Sequence, residues 1–300
     1  MQRIFILSVM TCLLIIGIIS CTSQEGTSKP AEFTVKLQPN PLDSTLTDVF
    51  VKNVQKDQSQ LFITLPDVEI QHYHPAEFHK GSIYVIRRIH PFSEFPDQWR
   101  DELWKYTSMK KGDKIFSSQG MDFRVSPQED DVALVTDTVL YFLNSSNGSE
   151  ITHFYPSTLS NVHRKDLQIQ PIAWTAGGTF FWGSLYQTVN ILNFFRVIAE
   201  TWEVNSYDVD TLKINSSDYA LNPTNGMLVY SDFPAVFDVD TYQHVRKSKM
   251  RIHLYLYDLI NGESTLLATT YSRDFKPKWL SSRTIEVNNP EGEGRIIISL

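Results

Sequence analysis

The chain has 300 residues, 42% of them hydrophobic and 20% charged, with a formal net charge of -7. That is apolar material for a substantial core, in one large domain or two small ones. The acidic balance and a pI near 5.6 argue against a general nucleic-acid binder, whose electrostatic footprint is basic.

The N-terminus carries a leader pattern. Arg3 supplies a short positive region, and residues 4–19 form an apolar run shorter than the ~20 residues a membrane-spanning helix needs. The run ends in Ile18-Ile19-Ser20-Cys21, which resembles the lipobox of bacterial lipoproteins. The resemblance implies a signal peptide over 1–20, cleavage before Cys21, and acylation of the Cys21 thiol with palmitate-type chains. A small residue at Ser20 lets a peptidase reach the bond, and the thiol is the nearby nucleophile able to carry a lipid. The competing reading is an uncleaved anchor or an ordinary secretory peptide. A lipid-anchored protein in the cell envelope, outside the cytoplasm, is the expectation that follows. Cys12 and Cys21 are the only cysteines, so the part beyond the leader has no disulfide, thiol nucleophile or cysteine metal cluster to call on.

Residues 21–44 read as the lipidated N-terminus and a flexible tether, with an early edge strand at 33–37 as the alternative. From Thr45 strand signals begin. Residues 47–54 and 61–65 flank a polar turn and form a hairpin. Residues 78–116 then repeat a strand-turn-strand-loop-strand-turn-strand order, and 121–151 repeat it again. A fourth copy starts at Ile169 and turns at Gly177-Gly178; its later strands span 190–197 and 199–209. The clearest copy runs from Asp218 to Leu267, with an Asn225-Gly226 turn, strand residues Ile252, Leu254 and Leu256, and an Asn261-Gly262 hairpin. A last copy, from Phe275 to Leu300, has three evident strands.

First strands centred on Phe78, Phe123, Ile172, Tyr219 and Phe275 are spaced 45, 49, 47 and 56 residues apart. Four strands per unit at a period near 45 is the signature of propeller blades. The fold class expected is therefore all-β, a β-propeller of four-stranded antiparallel blades over 45–300. Five blades is the simplest count, closed by the early hairpin pairing with the last unit; six follows if that hairpin and 33–37 make a blade of their own.

Ser126-Pro127, Asn222-Pro223-Thr224-Asn225-Gly226 and Trp174-Thr175-Ala176-Gly177-Gly178, each followed by an apolar strand, resemble the Ser-Pro-Asp-Gly-Lys turn of TolB-like propeller repeats. Leu254-Tyr255-Leu256-Tyr257-Asp258, followed by Gly262-Glu263, resembles their Leu-Tyr-x-x-Asp hairpin. The resemblance covers roughly residues 75–300. No copy keeps the full Ser-Pro-Asp-Gly, so it implies a fold and no activity.

Chemistry-bearing groups are sparse. His72 and His74 would share one face of a strand and, with His79, could offer two or three imidazoles to a metal, a reading outweighed by that of loop histidines; no metal and no cofactor is expected. Asp122, Asp218 and Asp274 each precede a first strand and could ring a channel mouth, as paired carboxylates do in glycoside hydrolases, although Asp also caps such turns. No nucleophile elbow, phosphate loop or zinc-helix motif is present. Tryptophans at 99, 104, 174, 182, 202 and 279 suit aromatic platforms or blade cores, with Trp174 and Trp279 in matching core positions.

A binding or scaffolding module is thus expected rather than an enzyme, the alternative being a carbohydrate-active enzyme with carboxylates in the channel. The candidate contact residues are Trp99 and Asp101 in the loop at 91–101, and Phe233, Phe237 and Tyr242 in the insert at 233–249. The partners expected are the membrane, through the lipid, and an envelope protein or glycan.

Overall fold

Side-chain alternation decides which faces are buried. In a computed structural model, residues 33–70, 76–89, 99–107, 112–160, 164, 166–234 and 239–300 are described, without the side chains of residues 239, 241 and 242. Cys21, His72, His74 and Phe237 lie outside these residues.

The strands form six antiparallel sheets, taken in chain order. The first holds β1 (Phe33–Pro39), β2 (Leu46–Asn53) and β3 (Gln58–Pro66). The second holds β4 (Glu77–His79), β5 (Ser82–Ile89), β6 (Arg100–Tyr106) and β7 (Asp113–Ser118). In the third are β8 (Asp122–Val125), β9 (Asp131–Val135), β10 (Leu140–Asn144) and β11 (Glu150–Phe154), followed by the short helix α1 (Pro156–Leu159). The fourth has β12 (Gln168–Trp174), β13 (Phe180–Gln187), β14 (Asn190–Ile198) and β15 (Val204–Asp208), with β16 (Ile214–Asn215) pairing beside β14. The fifth has β17 (Tyr219–Asn222), β18 (Met227–Ser231), β19 (Arg251–Asp258) and β20 (Ser264–Tyr271). The sixth has β21 (Lys278–Ser281), β22 (Thr284–Asn288) and β23 (Arg295–Ser299).

Two expectations change here. The early hairpin does not pair with the last unit: β2 is bonded on one side to β3 and on the other to β1, in register from Phe33 opposite Asn53 to Pro39 opposite Thr47. Residues 33–39 are therefore strand rather than tether, and the alternative count of six sheets holds. The insert after Asp232 is also more than a loop, since it contains helix α2 (Val239–Lys247).

Each joint between successive sheets is filled by its own hydrophobic cluster. Val49 and Ile83 meet at the first joint, Leu103 and Phe123 at the second, Phe142 and Phe181 at the third, Trp182 and Leu228 at the fourth, and Leu254 and Ile285 at the fifth. Phe142 shows the packing: its ring centre lies 5.7 Å from Trp174, 5.4 Å from Phe181 and 4.8 Å from Trp202. Burying each such ring or branched side chain contributes roughly 1.5–3 kcal/mol. Among the described residues these are five clusters, and none joins the first sheet to the sixth.

Burial follows from that arrangement. Interior strands are covered on both faces, so β9 runs buried from Val132 through Val135 and β14 from Ile191 through Phe195. The terminal sheets are covered on one face only: in β22, Ile285 and Val287 point inward between partly exposed neighbours, and Ile297 of β23 stands 63% exposed. Close approach is tight at Gly183, where a Cβ would enter the Phe195 ring.

Polar staples reinforce the joints. The Trp174 indole donates to the Arg124 carbonyl at 3.0 Å, joining the third and fourth sheets. The Gln128 amide donates to the Gly177 carbonyl at 2.6 Å, linking the turns after β8 and β12. Gly178, at φ +69°, leaves room for the Gln128 amide that any Cβ there would occupy. First strands adjoin from sheet to sheet, β4 with β8, β8 with β12 and β17 with β21.

Candidate functional site

At the end of the sheets where first strands begin, the second, third and fourth sheets enclose a cavity of about 270 Å³. Each contributes through a predictable place in its topology. Arg88 lies near the end of β5, Asp101 near the start of β6, Asp122 opens β8, Asp137 lies between β9 and β10, Gln168 opens β12, and Tyr186 lies near the end of β13. Met121, Val135 and Ile169 line the same space as nearly buried side chains, forming an apolar floor under polar walls. A smaller cleft of about 120 Å³ adjoins it, sharing Arg88, Asp101 and Gly120 and adding Trp99.

Two of the carboxylates are neutralised where they stand. Arg88 donates to both oxygens of Asp101, Nε to Oδ1 at 2.9 Å and Nη2 to Oδ2 at 3.1 Å. Asp101 is only 1% exposed, and that fork supplies the charge compensation a buried carboxylate requires. The pairing also raises the Arg88 pKa, chiefly through the Asp101 hydrogen bonds. Arg124 Nη1 donates to Asp122 Oδ1 at 2.9 Å while its Nε donates to the Ile172 carbonyl at 3.0 Å, fixing it between the third and fourth sheets.

Asp137 is exposed at the rim, and no hydrogen bond or ion pair to another described residue accompanies it. Burial, then the charges of Asp122 and Asp137, raise the pKa of the Tyr186 phenol, so it stays a neutral donor through the physiological range. Arg88 also lies over the Trp99 ring, 5.7 Å from its centre. The result is a polar cleft with an unpaired carboxylate, a neutral phenol, an amide and an indole. Among the described residues no group of three or more His, Cys, Asp or Glu is arranged to hold a metal ion.

The residues expected from the sequence fall in different places. Trp99 and Asp101 come together at the cleft. Phe233 does not reach a surface: at 4% exposure it packs with Val245, Ile252 and Phe275 between the fifth and sixth sheets, so it is a core side chain. Tyr242 belongs to α2. Of the three carboxylates before first strands, Asp122 alone lines the cavity. Asp218 is fully buried and accepts from Ser231 Oγ, from Phe275 N–H at 3.2 Å and from Lys276 N–H at 2.6 Å. Asp274 lies beside it, paired with Lys276 at 3.5 Å. Asp218 thus ties the fifth sheet to the segment that leads into the sixth. Arg88, Asp137, Gln168 and Tyr186 were missed because they lie at or beside strand ends on three different sheets; the position of Asp137 between second and third strands, and of Tyr186 at the close of a second strand, was the signal available.

No protein-family model matches the sequence, and no curated protein does. Solved structures do match. An oligogalacturonate lyase in complex with manganese shares 13% identity over 88% of this chain and 74% of its own, with a TM-score of 0.56. The oligogalacturonate lyase of Vibrio parahaemolyticus shares 11% over 85% of this chain and 74% of its own, with a TM-score of 0.54. The β-propeller domain of the Trilobed protease from Pyrococcus furiosus covers 85% of this chain and 72% of its own at 11% identity, with a TM-score of 0.48. The fold is a β-propeller. Its six sheets are blades, and the cavity lies across blades two to four, at the end where inner strands begin.

Proposed function

We propose that this protein is a lipid-anchored binding module of the cell envelope, held to a bacterial membrane through Cys21 and presenting a propeller whose ligand sits across blades two to four. The anchor rests on the Ile18-Ile19-Ser20-Cys21 pattern. Among the described residues no helix is long and apolar enough to cross a membrane.

The observation that carries the binding reading is the state of the carboxylates around the cavity. A glycoside-cleaving site needs a free acid and a free base flanking one bond. Here Asp101 is locked by Arg88, Asp122 by Arg124, and Asp218, which does not line the cavity, is committed to Ser231 and to two backbone donors. What is left free, Asp137 with the Tyr186 phenol and Gln168, suits recognition through hydrogen bonds. Two of the matched solved structures are named for a lyase activity, and at 13% and 11% identity that likeness extends to the fold only.

The test is recovery of partners from native envelopes by full-length protein and by a Y186F/D137A variant that retains the wild-type unfolding transition. Loss of a partner from the variant supports the reading; identical recovery removes the cavity from it. Fractionation of a Cys21→Ser variant tests the anchor, which predicts release from the membrane fraction.

A further inference from the structure

Resting on the binding reading, we infer that the cavity takes a sugar residue that carries no carboxylate, either neutral or amine-bearing, with the Trp99 indole beside it as an aromatic wall.

Four features carry this. The main cavity, at about 270 Å³, with its side cleft of about 120 Å³, is sized for a small ring and not for a folded partner's surface. Its lining is amphipathic in the way a pyranose is: the floor is Met121, Val135 and Ile169, whereas the walls offer the Gln168 amide, the Thr136 hydroxyl and the Tyr186 phenol. Such a surface meets the C–H face of a sugar with apolar atoms and its hydroxyls with donors and acceptors. The tryptophan lies in the adjoining cleft, where a second ring of an oligosaccharide would extend.

The fourth feature is charge. Of the cations in the described lining, Arg88 is forked onto Asp101 and Arg100, in the side cleft, pairs with Glu102 at 3.5 Å, while Arg124 close by is held by Asp122, so each already faces a carboxylate. Asp137 remains, an unpaired carboxylate at the rim whose oxygens accept from sugar hydroxyls in charge-assisted bonds or from an ammonium group. A uronate would set its own carboxylate against Asp137 and Asp122, and like charges at close range exclude the wrong ligand strongly.

The experiment uses detergent-solubilised full-length protein and three trisaccharide probes: chitotriose as the neutral one, its deacetylated counterpart as the cationic one, and trigalacturonate as the anionic one. Calorimetric titration is expected to show binding of the first two and none of the third. Asp137→Asn is expected to weaken the cationic probe about tenfold, the loss of about 1.4 kcal/mol of a charged hydrogen bond, and the neutral probe less. A Trp99→Ala variant is expected to weaken both bound probes while leaving the charge order intact. Binding of trigalacturonate as tight as the others, binding of none of the three, or an unchanged order in Asp137→Asn would each overturn the inference. If the envelope partner is still lost from the Y186F/D137A variant while no sugar binds, the binding module stands and only its sugar specificity falls.

Discussion

The Trp279 indole donates to the Ala220 carbonyl at 3.0 Å across the joint between blades five and six. It repeats what Trp174 does to Arg124 between blades three and four. Both tryptophans stand in the inner strand of the later blade and both acceptors in the inner strand of the earlier one. The indole is thus a core filler and a clamp at once. Trp279→Phe keeps most of the ring but strands a carbonyl, so a loss of about 1–2 kcal/mol is expected, with Trp174→Phe behaving alike because its joint is built the same way. Urea denaturation of the two variants reads this directly; an unchanged midpoint for either would show that its clamp contributes nothing.

Asp218 gives a second prediction. Its carboxylate serves three donors, and Asn offers one oxygen while turning an NH₂ toward a backbone N–H, so Asp218→Asn is expected to cost about 1–3 kcal/mol. Burial holds this carboxyl above its ordinary value of 3.8, with the Ser231 and backbone bonds opposing the shift. The folded state therefore binds the proton more tightly than the unfolded chain does. Its contribution is complete below 3.8 and is lost as pH rises from there through the folded value. The Asn variant should lack that slope in stability measured across mildly acidic pH.

The Arg88–Asp101 pair at the cavity tests the balance of buried charge. Arg88→Met leaves Asp101 buried without a counterion and is expected to cost about 3 kcal/mol or more. Adding Asp101→Asn removes the stranded charge, so the double variant should recover much of the loss. A double variant no more stable than Arg88→Met alone would mean that the arginine acts through packing and not through charge.

At high pH Tyr219 becomes informative. Its hydroxyl donates to Gln170 Oε1 at 3.1 Å between blades four and five, and burial pushes its ionisation from 10.0 up to about 12. The unfolded chain releases that proton first, so the stabilisation is whole below pH 10 and is lost as pH climbs toward 12. Tyr219→Phe should flatten part of the alkaline decline seen by thermal unfolding.

Much of the architecture was legible in the sequence because interior blades write themselves as repeated short apolar runs. Residues 132–135 and 191–195 are buried without a break because neighbours cover both faces. β1 was harder to read: exposed Thr34, Lys36 and Gln38 alternate with the partly buried Val35 and Leu37, and its partner Asn53 lies a loop away in sequence. Helix α2 was hidden in a polar insert whose buried anchor is Val245. The site was less legible still. Trp99 and Asp101 were visible as a loop aromatic and acid, but their neighbours Asp137, Gln168 and Tyr186 come from strand ends tens of residues apart, and only the stacking of three blades brings them to one cavity.

Among the described residues, blade one is joined to the array by the single cluster at Val49 and Ile83, and blade six by the one at Leu254 and Ile285. Either can detach by giving up one cluster, whereas an interior blade must break two. Opening then proceeds like the fraying of a linear array, each unit leaning on its nearest neighbours. Amide exchange should accordingly form a gradient, fastest in β1–β3 and β21–β23 and slowest in β13 and β14 at the centre. The cavity is walled on one side by blade two, which rests on blade one through the cluster at Val49 and Ile83, so loosening of the N-terminal blade is the motion that would be felt there.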